Sequence, residues 1–313
     1  MALEFRPLHG DFAAEVTGAA SDLRVSDEEL RAIEAAWFRH GILVFRELDM
    51  NPADHVAFTR RLGQLHIMVP SDFNLPDHPE VWVVGNAEAD GKPLGLRGAG
   101  MGFHTDGEDK IVPNAGSFLY ARLVPPEGGD TLFADMTAAY AALPDEVKAK
   151  IAGRRGRFSR ADMHAINYPD MRPYTAAELA ARPDVFHPLV RRHDRSGRVS
   201  LYIGRWACDI EGMPAEEGRA LVAWLQEFAR QDRFVYRHRW RRRRGVVGQS
   251  LHPALRHPVR RGALCAPDAP HHVGRHRADH GVNFCRHSRV CGNPGLATLR
   301  LLLGPRFRGG DEN

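Results

Sequence analysis

The amino-acid sequence predicts a mainly β fold in which helices lie before and between the strands. Short apolar runs of strand length outnumber the segments with helical spacing. The two kinds of segment alternate too irregularly for repeated βαβ units, which argues against a doubly wound parallel sheet. A sandwich or barrel of strands with helical cladding is therefore expected.

The first elements are bounded by a capping residue and by glycines. Ser26 precedes three acidic residues and an apolar pattern at helical spacing, which predicts a helix with Ser26 as its N-cap that ends at Gly41. The apolar run 42–45 predicts a buried strand. Residues 52–62 predict a second helix, and residues 81–84 another strand.

The middle of the chain places a His-x-Asp unit on a loop between strands. A glycine-rich stretch over residues 91–102 leads into this unit, and strand character resumes at 116–121. Residues 135–151 predict one helix that starts at Asp135 and continues across Pro144.

The last predicted elements before residue 240 are a hairpin and a helix. The hairpin is formed by residues 189–191 and 199–203 around a turn at 194–197, and the amphipathic helix covers 215–231.

Charge and composition divide the chain at residue 240. Residues 241–313 hold 14 Arg, no Lys and 4 acidic residues, a charge of +10, whereas the whole chain carries +4 and residues 1–240 therefore carry −6. The second part contains no Trp, Tyr, Ile or Met, which leaves it poorly equipped to form a core. We predict one domain over residues 1–240 and an irregular or disordered Arg-rich tail over 241–313.

Composition also restricts the compartment and the partners. No window approaches the 18 apolar residues of a membrane span, and the first residues lack the apolar run of a signal peptide. The four cysteines show no metal-binding spacing. These features predict a cytoplasmic protein that neither enters a membrane nor depends on disulfides.

His104 and Asp106 are the strongest candidates for chemistry. One residue separates them, so on an extended segment both side chains point to the same side and can bind one ion. With a distant second histidine they would form the two-histidine, one-carboxylate face of non-haem iron(II) enzymes. Taken alone, the tripeptide also fits a loop histidine that hydrogen-bonds a neighbouring carboxylate.

Further motifs follow in a fixed order. They are Phe103-His104-Thr105-Asp106-Gly107, Gly128-Gly129-Asp130-Thr131-Leu132-Phe133-Ala134-Asp135-Met136, His187-Pro188-Leu189-Val190-Arg191, Glu211-Gly212-Met213-Pro214 and Phe234-Val235-Tyr236-Arg237-His238-Arg239-Trp240. In order and spacing they resemble the TauD/TfdA family of dioxygenases, and within it the 2,4-dichlorophenoxyacetate dioxygenase branch. The resemblance covers nearly all of residues 1–240.

This resemblance implies a double-stranded β-helix, the jelly-roll or cupin-like core, with His104 and Asp106 as iron(II) ligands. Thr131 matches the family threonine that hydrogen-bonds the carboxylate of 2-oxoglutarate. The implied cofactors are Fe(II), 2-oxoglutarate and O2. The implied reaction hydroxylates a small organic acid, aryloxyalkanoate-like or taurine-like, while 2-oxoglutarate is decarboxylated to succinate and CO2.

The resemblance stops after Trp240. The family continues with Trp-Asp-Asn-Arg, the second iron histidine and an arginine for 2-oxoglutarate, and this sequence has none of them. If the codons of residues 247–250 are read one nucleotide later, they permit Trp-Asp-Asn-Arg, and the later motifs follow in the same frame. We therefore hypothesise a one-nucleotide frameshift within residues 241–244, and we expect the closing strands of the core to be missing.

Three functions remain open from the sequence. The chain is an iron(II)- and 2-oxoglutarate-dependent dioxygenase acting on a small-molecule substrate, or an inactive family remnant without the distal histidine and arginine. The third is a basic-tailed nucleic-acid-binding protein, because clustered Arg neutralises phosphates. The tail lacks interleaved aromatic residues, which favours a chain that does not bind nucleic acid. A homo-oligomer is compatible with the sequence.

Overall fold

The computed structural model describes residues 2–68, 72–89, 91–96, 102–125, 127–169, 171–241, 245–249, 254–256 and 297–303. The strands are β1 (Glu4–His9), β2 (Phe12–Thr17), β3 (Ile42–Phe45), β4 (Leu65–His66), β5 (Asn74–Leu75), β6 (His78–Gly85), β7 (Glu88–Ala89), β8 (Lys92–Pro93), β9 (Gly116–Leu123), β10 (Thr131–Ala134), β11 (Arg155–Phe158), β12 (Val185–Pro188), β13 (Val190–Arg192), β14 (Val199–Leu201), β15 (Ala207–Ile210), β16 (Val235–His238), β17 (Gly245–Gln249), β18 (Ala254–Arg256) and β19 (Ala297–Leu303). The helices are α1 (Asp27–His40), α2 (Pro52–Leu62), α3 (Met136–Ala141), α4 (Asp145–Ile151), α5 (Arg160–Asn167), α6 (Ala176–Ala180) and α7 (Ala215–Ala229), with a 3-10 turn at Asp232–Phe234.

The largest sheet has nine strands in the order β1-β2-β3-β17-β9-β19-β6-β5, with β4 paired to β19. Only β2 and β3 are parallel; the other neighbours are antiparallel. A second sheet has the order β16-β10-β18, and smaller sheets join β12-β11-β15 and β13-β14. Strands with flanking helices therefore dominate the fold, as the sequence predicts.

Strand β3 is buried along its whole length because both faces of the large sheet are covered. Leu43 and Phe45 join the cluster that packs against helices α1 and α2. Ile42 and Val44 join the cluster that includes Phe133 of β10. Successive side chains of a strand point to opposite faces, so this alternation places helices on one face of the large sheet and the second sheet on the other.

A third apolar cluster lies beside this sandwich. It contains buried side chains of β11, β14 and β15 together with Val222 and Leu225 of α7. Trp206 and Phe103 belong to the same cluster, so it forms part of the support beneath the His-x-Asp loop. Within the described ranges, no helix combines the length and apolar character needed to cross a bilayer.

Several local predictions are confirmed. Ser26 caps α1 through a capping box with Glu29, in which each side chain bonds the other residue's backbone N–H. Helix α2 spans Pro52–Leu62 as predicted. Asp135 caps α3 by accepting hydrogen bonds from two backbone N–H groups.

The prediction of one helix over residues 135–151 is wrong. The structure has α3 ending at Ala141 and α4 beginning at Asp145, with Pro144 as the N-cap of α4. Proline has no N–H and its ring disfavours the α conformation of the preceding residue, so the chain restarts there rather than continuing.

Backbone pairing brings parts of the Arg-rich tail into the sheets. Strand β17 lies between β3 and β9, β18 pairs with β10, and β19 lies between β9 and β6. The sequence predicts that the closing strands of the core are missing, and these three strands occupy positions within the sheets. The proposed boundary at residue 240 stays a prediction.

Candidate functional site

The His-x-Asp unit lies on a loop that ends at β9. Two glycines with positive φ, Gly102 at 77° and Gly107 at 74°, bracket it. This backbone region is open mainly to glycine, and it allows the loop to turn sharply on both sides of the unit. The loop ends at Gly116, where β9 begins in the middle of the large sheet.

His104 is oriented by the backbone that precedes it. Its Nδ1 lies 2.9 Å from the carbonyl oxygen of Gly102. A carbonyl can only accept, so Nδ1 carries a hydrogen, and in the neutral imidazole Nε2 then presents its lone pair. Nε2 lies 3.4 Å from Oδ1 of Asp106, and both side chains are about four-fifths buried, with 18% of each exposed.

Asp106 is oriented by the neighbouring strand. Ser117 of β9 donates a short hydrogen bond from Oγ to Oδ2 of Asp106, which leaves Oδ1 directed at His104. Two atoms bound at roughly 2.1 Å to one metal ion lie about 3.0–3.4 Å apart for angles between the octahedral and tetrahedral values. The observed 3.4 Å separation of Nε2 and Oδ1 therefore fits two ligands of a single ion.

The donor set suits iron(II) but is incomplete in the part of the chain that the structure describes. An imidazole and a carboxylate, each fixed by a hydrogen bond from its other side, are two of the three protein ligands of a two-histidine, one-carboxylate iron site. Among the described residues, no group of three or more His, Cys, Asp or Glu converges on a metal position. The tail histidines His252, His257, His271, His272, His276 and His280 lie outside the described residues.

A cavity of about 140 Å³ opens beside His104 and Asp106. Its apolar wall includes Met68, Trp82, Leu96 and Trp206, and its polar wall includes His104, Asp106, Asp109, Lys110, Arg160 and Arg205. Such a mixture of apolar surface and a few convergent polar groups is typical of small-molecule sites.

Three cations line this cavity against two carboxylates. Arg160 is bound to Asp109 through Nε at 2.5 Å and lies over the ring of Trp206 at 4.5 Å. Arg205, only 7% exposed, lies over the rings of Tyr168 at 4.5 Å and Trp206 at 5.1 Å. Stacked guanidinium groups are held rigidly, which prepares them to bind a planar anion.

Lys110 adds the third cation. Its Nζ lies 2.6 Å from Nε2 of His66. Burial lowers the pKa of Lys110, and the nearby Arg160 lowers it further, while Asp109 opposes both effects. The cavity thus concentrates positive charge that an anionic ligand would offset.

Glu108 is the most deeply buried acid near the site. Only 1% of it is exposed, and burial raises the pKa of its carboxyl to about 8 against the opposing effect of two backbone N–H bonds. Those bonds come from Thr105 and Trp206, which are distant in sequence and both line the cavity.

Thr131 lies at the start of β10, apart from the residues that line the cavity. It is 1% exposed, and its Oγ1 accepts a hydrogen bond of 2.8 Å from Nε1 of Trp240. The hydroxyl can still donate its own hydrogen. Its predicted contact with 2-oxoglutarate stays a prediction.

Sequence reasoning selected His104 and Asp106 as candidate ligands but missed the residues around them. Ser117 and Glu108 are close in sequence to Asp106, and the polarity of Ser117 at the start of an apolar strand was an available signal. Arg160 and Arg205 are brought to the cavity only by the tertiary fold, and no local pattern marks them.

Comparisons with known proteins agree with this geometry. The family model described as "Taurine catabolism dioxygenase TauD, TfdA family" matches residues 4–246. The alpha-ketoglutarate-dependent 2,4-dichlorophenoxyacetate dioxygenase of Cupriavidus pinatubonensis is 38% identical over 253 residues, covering 77% of this chain and 86% of that enzyme. The (S)-phenoxypropionate/alpha-ketoglutarate-dioxygenase of Sphingobium herbicidovorans is 32% identical over 250 residues, covering 76% of this chain and 83% of that enzyme.

Solved structures show the same relationship. The crystal structure of AAD-2 in complex with Mn(II) and N-oxalylglycine has a TM-score of 0.76 at 27% identity and covers 100% of both chains. A putative alpha-ketoglutarate dependent 2,4-D dioxygenase from Burkholderia xenovorans has a TM-score of 0.70 at 29% identity, covering 82% of this chain and 91% of that chain. The jelly-roll core expected from the sequence is confirmed by these neighbours. The chain therefore belongs to the TauD/TfdA family of dioxygenases.

Proposed function

We propose that this protein is an Fe(II)- and 2-oxoglutarate-dependent dioxygenase that hydroxylates a small organic acid and converts 2-oxoglutarate and O2 to succinate and CO2. The observation that carries the proposal is the pair formed by His104 and Asp106. Nε2 and Oδ1 lie 3.4 Å apart, and each side chain is held from its far side by a hydrogen bond.

In this proposal, His104 and Asp106 hold the iron, and the iron with 2-oxoglutarate and O2 supplies the oxidising chemistry. The chain itself contributes orientation and exclusion of water. Gly102 fixes the imidazole and Ser117 fixes the carboxylate, so neither ligand has to reorganise when the ion binds. The buried rings of Trp82 and Trp206 restrict access of water to the bound reactants.

Thr131 is proposed to donate its hydroxyl hydrogen to a carboxylate oxygen of 2-oxoglutarate. Trp240 supports this role, because its N–H occupies one lone pair of Oγ1 and so restricts the directions in which the hydroxyl can donate.

The charge of the cavity supports an anionic substrate. Lys110, Arg160 and Arg205 carry three positive charges against the two carboxylates of Asp106 and Asp109, and a bound divalent cation would add two more. 2-Oxoglutarate offsets only two of these charges. Two relatives are named for aryloxy acids, 2,4-dichlorophenoxyacetate and (S)-phenoxypropionate, which have an anionic end and an aromatic body. An aryloxyalkanoate-like acid fits both the cationic and the apolar walls.

The test is an anaerobic titration of the purified chain with Fe(II) and 2-oxoglutarate, following the visible charge-transfer band of the chelate. We expect a band that disappears in His104→Ala and Asp106→Ala and persists in Asp145→Ala, which removes a fully exposed aspartate. Failure of both this chain and its frame-corrected form to give a band would overturn the proposal.

An inactive family remnant is the second candidate. The family match ends at residue 246, beside the run of four arginines, and the described residues supply only two metal donors. In this case the chain gives no charge-transfer band, whereas the protein expressed from a gene corrected by one nucleotide within codons 241–244 gives one. Resequencing the DNA across codons 240–250 then shows whether the displaced frame is carried by the organism's own gene.

A further inference from the structure

Glu108 joins two walls of the cavity through one buried carboxylate. Its Oε2 accepts a hydrogen bond of 3.0 Å from the backbone N–H of Thr105, and its Oε1 accepts one of 2.9 Å from the backbone N–H of Trp206. Both donors are buried, with Thr105 4% and Trp206 5% exposed.

The two donors belong to functionally different segments. Thr105 lies between the proposed ligands His104 and Asp106, so its peptide group connects them. Trp206 lies about 100 residues later in the chain, where it follows Arg205, lines the same cavity and stacks with Arg160. One carboxylate therefore fixes the ligand loop relative to the cationic and aromatic wall.

Gly204 shows that the space around this carboxylate is closely fitted. A Cβ added at Gly204 would lie 1.6 Å from Oε2 and 2.5 Å from Cδ of Glu108. No side chain at position 204 can coexist with Glu108 in this place. Glycine at 204 therefore leaves the space that the Glu108 carboxyl group occupies, and its φ lies outside the left-handed region.

Burial of this polar carboxyl group would be unfavourable without hydrogen-bond partners, and the two backbone N–H groups supply them. Removing the acceptor would leave two buried N–H groups without their hydrogen bonds.

We propose that Glu108 is a positioning residue that sets the spacing between the His104–Asp106 pair and the Arg205–Trp206 wall. This inference rests on the proposed function for its metal-binding consequence, but the link between the two segments can be measured without metal.

The experiment is hydrogen–deuterium exchange of the full chain by mass spectrometry. Glu108→Met keeps an unbranched side chain of similar length and removes both acceptors. We expect peptides covering residues 103–109 and 204–208 to exchange at least about tenfold faster, with little change elsewhere. The control Glu146→Met, at an exposed position of α4, should leave both segments unchanged.

Two further variants separate a specific link from general loosening. Glu108→Gln keeps one acceptor oxygen, so only one of the two segments should exchange faster. Gly204→Ala forces the carboxylate out of place and should accelerate both segments, which keeps the test decisive if Glu108→Met does not fold. Unchanged exchange at residues 204–208 in Glu108→Met or Gly204→Ala would overturn the proposal.

A Mn(II) titration of the same variants tests the metal-binding consequence. Loss of a supporting residue is expected to raise the dissociation constant about 10–100-fold, whereas His104→Ala should abolish the site. If Glu108→Met binds Mn(II) as tightly as the unmodified chain, Glu108 does not position the ligands. If the unmodified chain binds no Mn(II), the proposed iron site fails in this chain, while the exchange data still decide whether Glu108 links the two segments.

Discussion

Ser117 donates a hydrogen bond from Oγ to Oδ2 of Asp106, and Oδ1 of the same carboxylate faces Nε2 of His104 at 3.4 Å. The two carboxylate oxygens of Asp106 thus make different contacts. One is anchored to strand β9 in the centre of the large sheet, and the other is presented toward the proposed metal position.

The first prediction concerns this anchor. Ser117→Ala should weaken Mn(II) binding about 10–100-fold, because Oδ2 loses the contact that fixes the carboxylate plane. Isothermal titration with Mn(II) measures this change. Ser200→Ala is the matched control, since Ser200 is equally a strand serine but its buried Oγ has no hydrogen-bond partner among the described residues. Equal affinities of Ser117→Ala and Ser200→Ala would contradict the role of the anchor.

The second prediction concerns the buried pair of Thr131 and Trp240. Thr131→Val removes the acceptor of the Trp240 N–H and should lower the free energy of unfolding by about 1–3 kcal/mol. In a Trp240→Phe background Thr131→Val should lower the free energy of unfolding by less, because the indole N–H that would be left without an acceptor is already absent. Urea unfolding of the two single variants and the double variant measures the coupling. Strict additivity would show that the hydrogen bond contributes nothing.

The third prediction compares two arginines on the same face of β11. Arg157 pairs with Asp162 at 2.5 Å, Asp184 at 2.5 Å and Asp209 at 2.8 Å. Arg157→Ala leaves three carboxylates close together and should destabilise the protein by about 2 kcal/mol or more.

Arg155 provides the internal control for that comparison. Among the described residues it forms an ion pair with Glu211 and lies over the ring of Phe186, and the side chains of the ion pair are about half exposed, at 50% and 44%. Arg155→Ala should therefore lower the free energy of unfolding by about 0–1 kcal/mol. Thermal unfolding of the two variants at one pH tests the difference, and similar losses of stability would contradict it.

The fourth prediction concerns pH and His55. This histidine of α2 is fully buried, with its ring edge-on to Phe118 at 4.7 Å, and burial lowers the pKa of its imidazole from 6.5 to about 3. Between these values the unfolded chain binds a proton that the folded chain does not. The contribution of His55 to stability is therefore full above pH 6.5 and decreases as the pH falls toward 3, by about 1.4 kcal/mol per pH unit.

The measurement is the free energy of unfolding at several pH values. His55→Leu should remove this part of the pH dependence, whatever its effect on stability at neutral pH. His78→Leu, at a partly exposed position, should keep the slope of the unmodified protein. An unchanged slope in His55→Leu would mean that another group causes the acid sensitivity.

The sequence by itself determined the local elements and the two proposed ligands. Ser26 and Asn51 specify helix starts through contacts within three residues, and the capping boxes are present as local rules require. The one-residue spacing of His104 and Asp106 was enough to place both side chains on one side of the loop. Ordered motifs over residues 1–240 indicated the family that the comparisons confirm.

The tertiary structure alone decided what surrounds these ligands. Ser117 and Glu108 are close to Asp106 in sequence, yet their contacts depend on where β9 and the segment before β15 pack. Arg160 and Arg205 reach the same cavity from distant parts of the chain. Periodicity and spacing describe neighbours along one element, whereas a cavity wall is assembled by packing between elements, and that packing appears only when the whole chain folds.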